Sequence, residues 1–194
     1  MKPDIKIILA SQSLVRKQML EDKGLKFEVI VSDVDETPDE NKNFKDQLAE
    51  IAMRKAMAIF ERTKKQGRRL ILAGDQNIVF EDISWGKPKT IEEARALIKR
   101  MRGTTKPQAY TGNAIILADK DQILQSVNLT DTAILRIDNI SDEDLEKYLA
   151  KETYKTYCGG ICVTDGDFVH LEKGRDSTVH GLTLEYALEI LNNL

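Results

Sequence analysis

The side chains with the clearest chemical potential in this sequence are three cations and two carboxylates. The cations are Arg16, Lys55 and Lys87, and the carboxylates are Glu36 and Asp75. Arginine and lysine hold phosphate groups, whereas carboxylates bind hard divalent cations or accept a proton from water. Whether these five groups can act together depends on the strands and helices that carry them.

Arg16 follows a serine-containing turn in the stretch IILASQSLVRKQML, residues 7–20. The apolar run predicts a buried strand, and Ser11 and Ser13 predict a turn that caps the next helix. Basic residues in the first turn are unfavourable beside the positive end of the helix dipole, so an anion is expected there. A serine cap with a solvated arginine is the alternative.

Glu36 lies in the acidic segment VSDVDETPDE, residues 31–40, which continues the strand-like run KFEVIVS. Carboxylates that follow a strand can hold Mg²⁺, because this cation prefers oxygen ligands. Strand alternation does not decide which of these carboxylates turns inward. An acidic loop exposed to solvent is the alternative.

Lys55 falls near the centre of an apolar helical stripe and not at its edge. At about 100° per residue, the stripe is formed by Phe44, Leu48, Ile51, Ala52 and Ile59. A buried ammonium group is costly unless it finds an anion, which points to a functional partner. A stem that carries the charge out to water is the alternative.

Asp75 and Lys87 stand at two further positions where an α/β sheet collects ligands. Asp75 ends the apolar run LILAGD, so we expect its carboxylate at the sheet edge in a partly desolvated place, where a general base or metal ligand would lie. Lys87 lies between Gly86 and Pro88 in the loop WGKPKT and could contact phosphate. A turn-capping aspartate and a solvated lysine are the alternatives.

The elements that carry these residues alternate between strand and helix. Helices are predicted at 14–23, from about Asn43 to Gln66, at 90–103, at 141–151 and from Leu184 to Leu191. Strands are predicted at IKIILA, KFEVIVS, RRLILAG, NIVF, AYTGNAIILAD, QILQSVNLTDTAILRI, TYCGGICVT and DFVHLE. This order predicts an α/β fold with a mixed β-sheet flanked by helices. In a strand at TYCGGICVT, Cys158 and Cys162 would share one face as small core residues.

Composition limits the classes of partner. A chain of 194 residues with a net charge of −3 is not drawn to nucleic acid or to anionic membranes without a local cationic cluster. Apolar runs fall far short of the ~20 residues of a membrane helix, and the first ten residues do not resemble a signal peptide. We therefore expect a cytoplasmic protein, with no nucleic acid and no membrane among its partners.

Together, three cations and two carboxylates suit a nucleoside triphosphate with a divalent metal. There is no Walker-type phosphate loop.

The series of motifs resembles the Maf family of nucleoside triphosphate pyrophosphatases. The family pattern LAS-x-SPRR reads LASQSLVR here, and V-[DE]-E reads VDE. Its A-x-x-KA reads AMRKA, its GAD-T corresponds to AGDQ, and its GKP element matches GKPKTIEEARALIKRMRG. The remaining motifs correspond to Thr111 and Gly112, to CGGICVT and to GRDSTVHGLT.

This resemblance implies a single two-lobed domain over residues 1–194, related in fold to inosine triphosphate pyrophosphatases, with the nucleotide in a cleft between lobes. Asp75 would be the catalytic carboxylate, and Glu36 would position water. Both carboxylates would bind the metal, Mg²⁺ or Mn²⁺. Ser11, Arg16, Lys55 and Lys87 would grip the phosphates. The reaction would release pyrophosphate and a nucleoside monophosphate, clearing unwanted or modified nucleotides, and the resemblance also implies a homodimer.

Several departures from the family pattern make the phosphate clamp thinner. Leu14 and Val15 replace the Pro and the first Arg of SPRR, Gln76 replaces Thr beside Asp75, Thr164 replaces Gln, and Thr183 replaces the Pro of GLP. One residue is inserted between Gly103 and Thr111. Two alternatives therefore stay open. One is a catalytically degenerate nucleotide-binding regulator of cell division, and the other is a phosphatase that removes the terminal phosphate.

Overall fold

The computed structural model describes residues 5–194. The strands are β1 (Lys6–Leu9), β2 (Phe27–Val29), β3 (Arg69–Phe80), β4 (Ile83–Trp85), β5 (Gln108–Asp119), β6 (Gln122–Ile137) and β7 (Val169–Lys173). The helices are α1 (Leu14–Asp22), α2 (Phe44–Thr63), α3 (Ile91–Met101), α4 (Asp142–Ala150), α5 (Asp176–Val179) and α6 (Leu184–Asn192). Two 3₁₀ turns, Thr153–Thr156 and Cys158–Gly160, lie between α4 and β7.

The strands form one mixed sheet of seven, which confirms the predicted fold class. Their order is β2-β1-β3-β5-β6-β7, and β4 pairs with β3 outside this path. β1 runs parallel to β2 and to β3, whereas the pairs β3–β4 and β6–β7 are antiparallel. The chain divides into two compact units. The first comprises Met1–Asp75, Thr111–Asp131 and His180–Leu194, and the second Gln76–Tyr110 and Thr132–Val179.

The first unit packs helices on both faces of its strands, as the two-residue period of a strand requires. Ile8 and Ile71 face α2, where they join a cluster with its residues Ala52, Ala56 and Ile59. Their strand neighbours Leu9 and Leu72 face the other way and join residues of α1 and α6, including Leu20, Leu184 and Ile190. The alternation fixes which face each residue further along β3 and β5 must take.

The second unit has its own core, built by the apolar stripe of α3 and the buried faces of α4 and β7. Its members include Ala94, Leu97, Ile98, Met101, Leu145, Leu149 and Val169. The rings of Tyr148 and Phe168 meet edge to face with centroids 5.1 Å apart, a preferred aromatic geometry. The Tyr148 hydroxyl donates to the Gly160 carbonyl at 2.9 Å, which satisfies a polar group inside this core.

The predicted strand at TYCGGICVT is wrong, because this segment begins at the last residue of the first 3₁₀ turn, contains the second and continues without strand structure. Gly159 and Gly160 have φ values of 64° and 71°, which no strand can accommodate. The expectation that both cysteines are core residues is met by Cys162, which is buried, and in part by Cys158. Neither cysteine forms a disulfide bond.

Two further differences concern the limits of elements. RRLILAG and NIVF, predicted as successive strands, are one strand, β3. The short helix α5 lies in a segment for which no helix was predicted. No helix within residues 5–194 combines the length and the apolar character needed to cross a membrane.

Candidate functional site

Asp75 lies inside β3 and not at its end, which corrects the sequence prediction. The residue pairs between β1 and β3 stop at Leu72, opposite Leu9, so Asp75 lies beyond the last of them. Because Ile71 and Ala73 face α2, the two-residue period turns Asp75 toward α2 as well. Its side chain is 19% exposed, so the partly desolvated setting that the sequence predicted is present.

Lys55 is buried on the same face of α2 as Ala52, Ala56 and Ile59, and its ammonium group joins two carboxylates. Its Nζ lies 2.8 Å from Asp75 Oδ1 and 2.8 Å from Glu36 Oε2. Its side chain is only 8% exposed, so the stem does not carry the charge out to water. The structure therefore brings together Lys55, Glu36 and Asp75, all in the first unit.

Glu36 comes from the exposed segment after β2, and Arg54 holds the backbone on both sides of it. The Arg54 guanidinium donates from NH1 to the carbonyl of Asp35 and from NH2 to that of Thr37, both at 2.8 Å. The hydroxyl and the N–H of Thr37 donate to the Asp35 carboxylate and hold its pKa below the ordinary value. Asp35 is thereby engaged locally, while Glu36 reaches Lys55.

Arg62 binds the beginning of the same segment. Its NH1 and NH2 donate to the carbonyls of Val31 and Ser32 at 2.6 Å each, and Asp33 lies 3.7 Å from its NH1. Two arginines of α2 thus fasten the segment to the helix at two points, each through a forked pair of hydrogen bonds to carbonyls.

Ser11 and Arg16 form a second group in the first unit. Ser13 is the N-cap of α1, and Ser11 Oγ accepts from the Ser13 N–H at 3.1 Å and from Arg16 NH1 at 3.0 Å. Arg16 NH1 also donates to the Gly74 carbonyl at 2.8 Å. The guanidinium is therefore held beside the residue that precedes Asp75. The predicted serine cap is confirmed for Ser13, and Ser11 instead binds the turn.

Lys87 belongs to the second unit, in the loop between β4 and α3, where its side chain is exposed. The loop around it is well supported. The Gly159 N–H donates to the Gly86 carbonyl at 2.8 Å, and Pro88 is buried against Gly160. The glycine turn that replaced the predicted strand thus holds the loop that presents Lys87.

The departures from the family pattern have defined surroundings. Gln76 donates from Nε2 to the carbonyls of Thr178 at 2.9 Å and of Val179 at 3.2 Å, within the second unit. Thr164 Oγ1 lies 3.1 Å from Cys162 Sγ. Leu14, which stands where the pattern has proline, is 78% exposed at the start of α1. Gln76 therefore tethers a neighbouring segment.

The residues present fit a divalent metal of the magnesium type. Within residues 5–194, no group of three or more acidic, histidine or cysteine side chains could hold a metal ion. Glu36 and Asp75 nevertheless converge on one ammonium group, so two hard oxygen donors already point to one place. Mg²⁺ commonly binds one or two carboxylates and takes its remaining ligands from water and substrate phosphates.

The sequence did not indicate several residues that contact the elements of the site. Arg54, Gly74 and Gly112 were predicted only as parts of motifs, and Asn113 only as part of a strand. The glycines did carry a signal, since glycine inside an apolar strand marks a close backbone approach. A Cβ on Gly74 would lie 2.4 Å from the Gly181 carbonyl oxygen, and one on Gly112 would lie 2.2 Å from that of Leu48.

Comparison with known proteins supports the motif series. A family model described as Maf-like protein matches residues 6–194. A dTTP/UTP pyrophosphatase of Bacillus cereus is 33% identical over 181 residues, which cover 92% of this chain and 90% of that protein. A protein of the same name from Caldicellulosiruptor bescii is 28% identical over 146 residues, covering 75% and 71% of the two chains.

A solved structure supports the fold. The HAM1 protein from Coxiella burnetii aligns with a TM-score of 0.52 at 14% identity, over 98% of this chain and 100% of that one. At this identity the likeness concerns the fold alone. It confirms the fold relationship that the motif series implied.

Proposed function

The chain belongs to the Maf-like protein family, and on that premise we propose that it hydrolyses nucleoside triphosphates to the monophosphate and pyrophosphate in a metal-dependent reaction. The observation that carries the proposal is the Lys55 ammonium group, buried and 2.8 Å from both Glu36 and Asp75. The names of the relatives support the same reaction class, and they make dTTP and UTP the first substrates to test.

The proposed chemistry is attack of water on the α-phosphorus. Asp75 is the partly buried carboxylate and accepts the proton of the water, while Glu36, more exposed, orients it. The water oxygen bonds to the α-phosphorus, and the bond from that phosphorus to the oxygen shared with the β-phosphate breaks, so pyrophosphate leaves. Lys55 pairs with both carboxylates and holds them in place before substrate arrives.

The cations supply the affinity for the triphosphate. Arg16 and Ser11 would bind phosphate oxygens beside Gly74, Lys55 would do so beside Asp75, and Lys87 would add a contact from its own loop. Mg²⁺ or Mn²⁺, held by Glu36 and Asp75, would neutralise charge on the phosphates. The proposal also takes the cytoplasm as the compartment, which rests on the sequence composition, and a homodimer as the assembly, which rests on the family resemblance.

The test is the release of product by the parent protein and by Asp75→Asn. Both are incubated with Mg²⁺ or Mn²⁺ and a panel of standard and modified nucleoside triphosphates, and pyrophosphate and orthophosphate are measured separately. We expect pyrophosphate, with turnover lowered about 10³-fold in Asp75→Asn because the proton acceptor is lost. The melting temperature should hardly change, since an asparagine can still accept from Lys55.

Asp121→Asn is the matched control, because it removes the same charge at an exposed position in the β5–β6 turn. Its turnover should equal that of the parent. Equal turnover in Asp75→Asn would remove Asp75 from the mechanism. Release of orthophosphate alone would identify a terminal phosphatase, and bound nucleotide without either product would identify a regulator that has lost catalysis.

A further inference from the structure

A fully buried asparagine within β5, Asn113, binds both the backbone and the side chain of one residue. Asn113 Oδ1 accepts from the Thr183 N–H at 2.7 Å, and its Nδ2 donates to Thr183 Oγ1 at 3.1 Å. Nδ2 also donates to the Thr111 carbonyl at 2.9 Å. Asn113 and Thr183 are both 0% exposed, so water does not compete for these groups.

Asn113 holds the turn at residues 181–183 through Thr183. This turn packs directly against β3, the strand that carries Asp75. Gly181, at φ 86°, presents its carbonyl oxygen so close to Gly74 that a Cβ there would lie 2.4 Å away. Gly74 faces away from α2, toward this turn, whereas Asp75 faces α2, because neighbours in a strand alternate. The Gly74 carbonyl also accepts from Arg16. A shift of the turn would therefore move the backbone to which both Asp75 and Arg16 are tied.

The need for Asn113 follows from the residue at position 183. Thr183 has a backbone N–H and a hydroxyl in a place without access to water, and Asn113 forms a hydrogen bond with each of them, as buried polar groups require. A proline, which stands here in the GLP pattern, would bring neither group. The φ of Thr183 is −75°, within the range that proline adopts.

We propose that Asn113 is a positioning residue for the site. By binding the N–H and the hydroxyl of Thr183, it seats Gly181 against Gly74 and so fixes the backbone under Asp75 and Arg16. It does not touch the reacting groups. The proposal rests on the proposed function for its catalytic consequence, but its structural consequence at Asp75 can be measured without any turnover.

The experiment is a double-mutant cycle of Asn113→Val and Thr183→Pro. Asn113→Val removes both hydrogen bonds between residue 113 and Thr183, and we expect kcat to fall about 10-fold as the turn shifts. Thr183→Pro alone deprives Asn113 of its donor and should lower kcat less. Because the double variant contains neither the N–H and hydroxyl of residue 183 nor the asparagine that binds them, it should return to within about 2-fold of the parent, a rescue that marks direct coupling.

Asn128→Val is the matched control. The Asn128 side chain donates to the Asn113 carbonyl and to the Ala49 carbonyl, so the change removes two hydrogen bonds near β5 without touching Thr183. Its kcat should equal that of the parent. Rates are measured well below each melting temperature, so that lost stability alone does not change kcat.

The backbone amide resonances of Gly74 and Asp75 give the readout that does not need activity. They should shift in Asn113→Val and return in the double variant. If the parent shows no turnover but the resonances follow this course, the proposed function fails and the positioning role stands. If the parent is active while kcat and both resonances are unchanged in Asn113→Val, or if Thr183→Pro brings no rescue, the positioning role is wrong.

Discussion

Lys55, in α2, and Arg69, at the start of β3, are both buried cations. Each needs hydrogen-bond acceptors for its charge, and the two find acceptors of different kinds. Arg69 is 0% exposed, and its guanidinium donates to neutral oxygens, among them Thr63 Oγ1 and the Lys120 carbonyl at 2.8 Å. It also lies 5.3 Å from the centroid of the Phe60 ring. Several of its acceptors are carbonyls at the C-terminal end of α2 or just beyond it, where helical carbonyls lack partners.

Lys55 is nearly as buried, but its partners are two carboxylates from different elements. Burial lowers the pKa of Arg69, yet a guanidinium stays charged, and the carbonyls that accept from it are neutral backbone groups. In the proposed function, the carboxylates paired with Lys55 exchange that partner for a metal ion or for water held beside a phosphate. Burial of a cation therefore does not by itself indicate function. The kind of acceptor does.

The largest effect that this comparison predicts is on stability. Arg69→Met should lower the free energy of unfolding by about 4 kcal/mol, because it leaves buried carbonyls and the Thr63 hydroxyl without their donor. Arg68→Met, at the partly exposed neighbouring position, should cost about 0.5 kcal/mol. Urea unfolding followed by circular dichroism measures both. A folded Arg69→Met protein that has lost its turnover would place Arg69 in the site and break the comparison.

The next effect is on catalysis. Lys55→Met should lower kcat/KM about 100-fold, or about 2.7 kcal/mol, because Glu36 and Asp75 lose the cation that orients them. The free energy of unfolding should change by less than about 1 kcal/mol, since methionine suits the apolar face of α2. Lys64→Met, which removes a surface pair with Glu61, is the control and should leave kcat/KM unchanged. A large fall in melting temperature with unchanged nucleotide affinity would make Lys55 structural.

The sequence predicted the helices well because their signals are local. Asn43, Thr90 and Ser141 each accept a hydrogen bond from the third residue of their helix, so the starts of α2, α3 and α4 depend on adjacent residues alone. The inward position of Lys55 follows from the helical period in the same way. The segment around Gly159 was misread because an apolar run flanked by polar residues fits a turn as well as a strand.

The site was predictable only where one element determines the geometry. The choice of Glu36 from among its acidic neighbours depends on where Arg54 fastens the segment, which is a contact between distant parts of the chain. Asn113 gave no signal, because its partner Thr183 lies 70 residues away and a buried asparagine looks like an interruption of the strand. Long-range pairs of this kind leave no period in the sequence.

The smallest effect concerns Arg54. Lys55 binds the carboxylate of Glu36, whereas Arg54 binds the backbone on either side of it. Arg54 donates to the carbonyls on either side of Glu36, and Arg62 donates equally well to the carbonyls of Val31 and Ser32. Arg54→Gln should lower kcat about 10-fold, because the backbone around Glu36 is no longer fixed and its carboxylate is misplaced. The melting temperature should fall by only a few degrees.

Arg62→Gln is the matched control, since it removes the same fork from the same helix and the same segment, but away from Glu36. If the role of Arg54 is to place Glu36, kcat should be nearly unaffected in Arg62→Gln while both variants lose similar stability. An equal fall of kcat in the two variants would mean that the whole segment moves as one body. In that case neither arginine would act specifically on Glu36. The whole segment, held equally by both arginines, would bring the carboxylate to Lys55.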